Sequence, residues 1–322
     1  MSIRIGFIGT GGIAGMHLNI LPNIDGAELV AFSDLILERA QAVAERHGGR
    51  AYDDYHVMLD KEELDAVYVC LPPFAHGDAE ISVIDKGINL FVEKPQALDN
   101  ITAQDIANRI EDRGITTAVG YNWRYLDITE RAKNLLVGVQ PSLGLGYWIG
   151  NTPGAPWWRK KSESGGQIVE QTTHVYDCAR YLMGEVVSVY ASGAKTGLMH
   201  DIPNYDVEDA STASLTFESG AVATILSSCV AEQGYGTGLH IISRGMTIKI
   251  EGNKLAVERE GETVRYTGKN NPYQTENETF ITAIKTGDPS IVKSNYSDGI
   301  KSLAVTLAAN QSIETGKVVE LT

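Results

Sequence analysis

Six residues near the start of the chain, Gly9-Thr10-Gly11-Gly12-Ile13-Ala14, restrict what it can fold into more than any other stretch. They follow Ile3, Ile5, Phe7 and Ile8, which read as a short buried strand, and they lead into an apolar-periodic helix beginning near Ile13. Strand, glycine turn and helix in that order form a dinucleotide-binding unit. Gly9 permits the tight turn, Gly11 lets a pyrophosphate approach bare backbone, and the small Ala14 lets the helix lie close on the strand. The pyrophosphate then meets the exposed N–H groups and positive dipole of the helix N-terminus. A plain structural turn is the other reading of these residues, and their place between a strand and a helix weighs against it. Gly9, Gly11, Gly12 and Ile13 are therefore the first candidate cofactor contacts.

The strand–helix alternation continues. Residues 28–33 read as a second strand ending at Asp34, twenty positions beyond Ala14, where an acid accepts hydrogen bonds from the ribose hydroxyls. A carboxylate there repels a 2′-phosphate, and Leu35 and Ile36 bring no cation, so NAD is expected over NADP. Asp34 as a strand end that caps the helix over 38–47 is compatible with that role. Residues 66–71 form a continuous apolar run, as in a parallel strand covered on both faces. The run stops at Pro72-Pro73, so Leu71 and Pro72 should overlook the cofactor. His76 lies at the start of a helix expected over 75–86; contact with a nicotinamide ribose and simple occupancy of the first turn are both open. Residues 88–92 form the next strand and run into Glu93-Lys94-Pro95. A helix over Asn100–Arg113, stopped by Gly114, and a strand over 115–119 complete a parallel doubly wound sheet. Such sheets bind ligands at the C-terminal strand ends, where Gly9, Asp34, Pro72 and Glu93-Lys94-Pro95 fall.

The second half follows other rules. Residues 151–161 are irregular and carry Trp157, Trp158 and Arg159; a sugar-like pocket and plain domain packing are equally open for them. Gly165-Gly166 open a helix expected to run to Met183, with Gly184 as its stop. On one continuous helix Glu170 and His174 share a face, with Asp177 three residues further on. A carboxylate one turn from an imidazole raises its proton affinity, which suits a general base; an ordinary surface acid–histidine pair is the plainer reading. Seven strand-like segments follow between residues 185 and 266, bounded by Gly, Asn or charged turns, and two helices close the chain at 274–285 and 296–314.

Composition sets the outer limits. The 322 residues suffice for about two domains, and 43% hydrophobic with 21% charged residues are ordinary globular values. No apolar run of about 18 residues offers a membrane span, and the chain's start shows no charged-then-apolar leader. A net charge of −14 excludes the broad basic surface that nucleic acid or an anionic membrane requires. Cys70, Cys178 and Cys229 are far apart and match no metal spacing, so buried thiols, a cytoplasmic setting and no metal are expected.

Five stretches, taken together, resemble the Gfo/Idh/MocA family, named for glucose–fructose oxidoreductase and inositol dehydrogenase. They are Gly9-Thr10-Gly11-Gly12-Ile13-Ala14, Pro72-Pro73-Phe74-Ala75-His76, Glu93-Lys94-Pro95, Gly120-Tyr121-Asn122-Trp123-Arg124, and Gly165 to His174 ending in Glu170-Gln171-Thr172-Thr173-His174. They stand in the family's order and span essentially the whole chain. The resemblance implies an α/β Rossmann domain with a parallel doubly wound sheet over 1–121. It also implies an α+β domain over 122–322 with an open-faced, mostly antiparallel sheet, whose last helix packs back on the first domain. It implies an NAD(P)-dependent dehydrogenase that passes a hydride between nicotinamide and a secondary alcohol of a sugar, polyol or inositol-like molecule. In the family's pattern Lys94 and His174 are catalytic, and Glu170 stands where an aspartate is usual, as in one subset of members. Glu93 and Lys94 lie beside the cofactor, Asn122, Arg124 and His174 are substrate contacts, and Pro95 is cis; Trp158 and Arg159 join the candidate substrate contacts on the pocket reading of residues 151–161. A homodimer or homotetramer through the open sheet face is implied as well. Two other readings compete: a non-catalytic NAD(P)-binding regulator, and a glycosidase that uses a tightly bound NAD.

Overall fold

A computed structural model describes residues 2–321. The chain divides into two compact units, residues up to Tyr125 together with Asn271–Ile300, and Leu126–Asn270 together with residues from Lys301 onward. The late segment that returns to the first unit is what a single cut after residue 121 leaves out.

The first unit opens with β1 (Ile3–Ile8), α1 (Gly12–Ile20), β2 (Ala27–Ser33), α2 (Leu37–His47), β3 (Arg50–Tyr52) and α3 (Tyr55–Lys61). It continues through β4 (Ala66–Val69), α4 (Asp78–Asp85), β5 (Asn89–Val92), α5 (Asn100–Arg113) and β6 (Thr117–Val119). The six strands lie in the order β3-β2-β1-β4-β5-β6 and all pairings are parallel. The short β3 and α3 are additions to the expected pattern; three residues are too few to show alternation in a sequence.

The period of two along each strand sorts side chains to opposite faces. Val67, Val69, Leu90 and Val92 go to one face, where they meet Val83 and Ile84 of α4 and Ile106 and Ile110 of α5. Phe7, Tyr68 and Phe91 go to the other, where they meet Ala14 and Leu18 of α1. Burial on both faces explains why residues 66–69 read as an unbroken apolar run.

The three aromatic rings are cross-strand neighbours, Phe7 opposite Tyr68 and Tyr68 opposite Phe91. They stack with centroids 4.9 and 4.6 Å apart and planes within 15° and 14°. Phe280, from the late helix α10 (Pro272–Thr286, numbered after those of the second unit), packs edge-on against both Tyr68 and Phe91, with ring centroids 5.7 Å from each. That contact explains why residues 271–300 belong to this unit.

The second unit holds α6 (Asp127–Leu135), β7 (Pro141–Ile149), α7 (Lys161–Ser164), α8 (Gly166–Glu170) and α9 (Thr173–Met183). Then come β8 (Val186–Ala194), β9 (Ala210–Phe217), β10 (Val222–Ser228), β11 (Gly236–Ser243), β12 (Met246–Glu251), β13 (Lys254–Arg259) and β14 (Glu262–Thr267), with β15 (Val319–Glu320) near the C-terminus. Their order is β14-β13-β12-β11-β7-β10-β9-β8-β15, antiparallel except for β7 beside β10. Buried and exposed positions alternate along β9. The register groups Leu145, Val222, Leu226 and Tyr190 on one face, and all four are exposed. A last helix, α11 (Tyr296–Thr315), begins in the first unit and continues in the second.

One expected element is corrected. The helix foreseen from Gly165 to Met183 is two helices, α8 and α9, parted at Gln171 and Thr172. The N–H groups of both Gln171 and Thr172 donate to Gln167 O, at 3.0 and 2.8 Å, and Val175 N reaches back only to Thr172 O at 2.8 Å. The regular ladder is therefore broken, and the four-residue spacing of Glu170 and His174 no longer places them on one helix face.

Because Phe280 is fully buried against two stacked rings, Phe280→Ala is expected to destabilise the first unit by about 3–5 kcal/mol. Urea unfolding followed by circular dichroism measures this, and an unchanged midpoint would show that α10 contributes nothing to that core.

Candidate active site

The glycine turn is built by a close approach. Gly9 has φ +86°, and a Cβ on it would lie 2.4 Å from the Cys70 carbonyl oxygen just beyond β4. The turn thus seats itself against the neighbouring strand end. Around Gly11 and Gly12, by contrast, a Cβ would meet nothing within 4 Å. Gly11 is the N-cap of α1 and no side chain caps that helix, so its first N–H groups lack a side-chain acceptor. Open space, bare backbone and a helix N-terminus fit a pyrophosphate.

Asp34 follows β2 and holds the turn from the other side. One carboxylate oxygen accepts from Thr10 N and Thr10 Oγ1 at 3.0 and 2.9 Å, and the other accepts from Ile36 N at 3.0 Å. Three bonds leave a carboxylate with acceptor capacity for a ribose hydroxyl. Leu35 beside it is 93% exposed and Ile36 is 45% exposed, two apolar side chains at the edge where an adenosine would lie.

His76 is settled by its partners. The helix starts at Asp78, later than expected, and the His76 ring is buried before it. Nδ1 bonds the Glu80 carboxylate, and Nε2 lies 3.2 Å from the Leu71 carbonyl. The second Glu80 oxygen accepts from Gly77 N at 2.7 Å. The imidazole locks the helix start to the end of β4, and both ring nitrogens are engaged inside the unit.

After β5 come Glu93 and Lys94, joined to Pro95 by a cis peptide bond, as expected. The Glu93 carboxylate does not face outward toward a cofactor. It is 3% exposed and points back into the unit, with Lys94 N donating to one oxygen at 3.1 Å. Arg124, expected as a substrate contact, is also a buried internal cation. It is 2% exposed, its Nη1 donates to Lys293 O at 2.6 Å, and it pairs with Asp298. Asn122 is 5% exposed, hydrogen-bonds the Tyr273 side chain, and has its Oδ1 buried without a hydrogen-bond partner among the described residues. Burial and the nearby Glu93 and Glu276 carboxylates push the Tyr273 phenol up to about 12, so it stays a donor at neutral pH. Neither Tyr273 nor its pairing with Asn122 was legible in the sequence, because 151 residues separate the two.

In the second unit, Trp148 of β7 and His174 of α9 stack with centroids 5.9 Å apart and planes at 21°. His174 is 7% exposed. Glu170 ends α8, and its carboxylate accepts from Trp158 Nε1 at 2.7 Å. Trp158 is 1% exposed and packs with Val207 and Cys229. The ring is packed within the second unit, and its indole N–H fixes the acid. Arg159 Nε, Gln171 Oε1 and Thr172 Oγ1 are buried without hydrogen-bond partners among the described residues. Gln171 and Thr172 were not expected as site residues. The break between α8 and α9 turns them out of the helix, and a sequence carries no clear sign of that break.

Gly9→Ala and Gly11→Ala should behave oppositely. The first places a side chain at positive φ against a backbone carbonyl and is expected to lower stability by about 3 kcal/mol. The second leaves the melting temperature unchanged and weakens NAD binding about tenfold by obstructing the bare backbone. Thermal melts and a fluorescence titration with NAD read both; equal behaviour of the two variants would contradict the assignment.

Comparison with known proteins agrees with this geometry. Residues 3–121 match the family described as "Oxidoreductase family, NAD-binding Rossmann fold", and residues 145–257 match the Gfo/Idh/MocA C-terminal domain. The chain is 29% identical to a myo-inositol 2-dehydrogenase of Thermotoga maritima, covering 99% of this chain and 98% of that protein. It is 26% identical to an NADP-dependent D-xylose 1-dehydrogenase of Haloferax volcanii, covering 99% and 100%. The crystal structure of a myo-inositol 2-dehydrogenase from Lactobacillus plantarum superposes with a TM-score of 0.86 at 23% identity, covering all of both chains. Matched by this family's models in both halves, the chain belongs to the Gfo/Idh/MocA family of NAD-binding oxidoreductases.

Proposed function

We propose that this oxidoreductase oxidises a secondary alcohol of a cyclic polyol or sugar, inositols first among them, and that Lys94 and His174 carry the proton chemistry. The observation that carries the substrate class is that Arg159 Nε, Gln171 Oε1 and Thr172 Oγ1 of the second unit are buried without hydrogen-bond partners among the described residues. Buried donors and acceptors without partners are costly, and a ligand bearing several hydroxyls satisfies them. Asn122 Oδ1 in the first unit has the same character. The names of the inositol and xylose dehydrogenases among the relatives support the same class.

Bound NAD supplies the acceptor for the hydride that leaves the alcohol carbon. His174, held flat against Trp148, takes the hydroxyl proton on its imidazole. Lys94 supplies a cation that stabilises negative charge growing on a substrate oxygen. Glu170, anchored by Trp158, contributes negative charge near the imidazole rather than acting as a helical neighbour of His174. Asp34 favours NAD over NADP, because a 2′-phosphate beside its carboxylate meets like charge. For assembly, the exposed Leu145, Val222, Leu226 and Tyr190 on one sheet face suit a second copy of the chain.

The test is a reduction assay with NAD and NADP in parallel, against inositols, aldoses and aldonic acids. Turnover of at least one cyclic polyol, faster with NAD, is expected. Lys94→Ala and His174→Ala should each lower kcat by about 10²–10⁴-fold while NAD affinity changes little. Near-normal turnover in either variant would refute that residue's role. Light scattering should find a dimer or larger, and Leu145→Glu with Leu226→Glu should lower the mass.

A further inference from the structure

A buried imidazole outside this machinery connects α1 to the strand end that bears Lys94. His17 lies on α1 five residues after the glycine turn and is fully buried. Its Nε2 is 3.0 Å from one oxygen of Glu93, whose other oxygen accepts from Lys94 N at 3.1 Å. On its far side, Nδ1 lies 3.0 and 3.1 Å from the Asn277 side-chain amide of α10. Asn277 is itself fixed, accepting from Tyr68 Oη at 2.8 Å and donating to Tyr273 O at 2.7 Å. The ring rests on the aromatic row, 4.9 Å from Phe91 and 5.4 Å from Tyr68.

We infer that His17 is the positioning residue of Lys94: through the Glu93 carboxylate it fixes the backbone from which the lysine reaches the substrate. This rests on the reading of Lys94 given above. A carboxylate buried to this degree demands donors, and it receives them from the imidazole and from the lysine's own N–H. An Nε2 facing an ionised carboxylate carries its hydrogen toward it, so His17 pulls one oxygen while the other holds Lys94 N. The opposite wall is Gly120, where a Cβ would stand 2.7 Å from both carboxylate oxygens. Glu93 is thus confined between α1 and the loop after β6. The same helix presents the pyrophosphate-binding end at Gly11 and Gly12, so one rigid element sets both the dinucleotide turn and the lysine's backbone. Displacing a reacting group by about 1 Å can cost on the order of 10²-fold in rate, which is the scale on which such a clamp acts.

The clamp is tested with His17→Leu, His17→Gln and Gly120→Ala. Glutamine keeps a donor toward Glu93 and an acceptor toward Asn277, whereas leucine keeps neither. Gly120→Ala presses on the carboxylate without altering His17, and keeps the question open to measurement if the leucine variant does not fold. Glu93-Lys94 is the only Glu-Lys dipeptide in the sequence, so protein made with carbonyl-13C glutamate and 15N lysine gives a single Lys94 amide signal. That signal is expected to move upfield and exchange faster in His17→Leu and Gly120→Ala, and to stay in place in His17→Gln. An unmoved signal in the first two variants overturns the inference, whatever the turnover.

Kinetics then separate positioning from mere stability. His17→Leu should lower kcat about 30-fold with the KM for NAD within about threefold, and His17→Gln should restore most of the rate. In a Lys94→Ala background, His17→Leu should change kcat by less than about threefold, because its effect runs through the lysine. An equal loss in both backgrounds overturns the inference. A fast Lys94→Ala enzyme overturns the proposed role of the lysine instead, and the amide signal still reports the clamp on its own.

Discussion

A carboxylate enclosed at the end of β5 is the constraint around which the first unit is arranged. Glu93 is 3% exposed, and a charge taken out of water to that degree is tolerated only when donors surround it. Its donors come from two places in the chain, His17 in α1 and the adjoining Lys94 N–H. The imidazole in turn lies on Tyr68 and Phe91 and is steadied by Asn277. One buried charge therefore requires α1, β4, β5 and α10 to keep their mutual positions. The stacked aromatic row supplies the rigid floor, and the parallel register that sets Phe7, Tyr68 and Phe91 side by side follows from strand period alone.

The same logic of enclosure governs the strand ends. Gly9 is pressed against the Cys70 carbonyl, Asp34 grips Thr10, and the His76 ring ties the turn before α4 to Leu71. The first two contacts join the end of one parallel strand to its neighbour, and the third joins β4 to the helix that follows it. The surface left over, at Gly11 and Gly12, is bare backbone facing open space. At the dinucleotide turn it is bare backbone, not a paired side chain, that the strand ends present. In the second unit the balance differs: Trp158 holds Glu170, Trp148 supports His174, and Arg159, Gln171 and Thr172 keep polar atoms without hydrogen-bond partners among the described residues.

Much of this was legible in the residue order. Strands and helices of the first unit read correctly where they were long or sharply punctuated, as at Asn100–Arg113 with its Gly114 stop. The strands from β8 to β14 read correctly because glycines, asparagine or charged turns bound them. Short elements such as β3 and α3 were missed, since three to seven residues carry too little periodicity. Arg124 was expected as a ligand contact from the family resemblance, His76 from its place before a helix and Glu93 from its place at a strand end, and the hydrogen bonds of all three run inward. His17 did leave a trace: it shares the buried stripe of α1 with Ala14 and Leu18, a place where a polar side chain needs a reason.

Sequence alone determined the parallel sheet, the glycine turn, the acid after β2, the lysine after β5 and the histidine of the second unit. These depend on local chemistry: φ freedom, strand period, and the order of elements along the chain. Tertiary structure alone decided what each polar side chain does. Whether a carboxylate faces a cofactor or a buried imidazole depends on partners hundreds of residues distant, as Asn277 is from His17. Whether Glu170 and His174 share a helix face depends on a ladder that breaks at Gln171 and Thr172. Periodicity specifies which face of an element is buried, but the desolvation of individual polar groups is settled only when the faces meet.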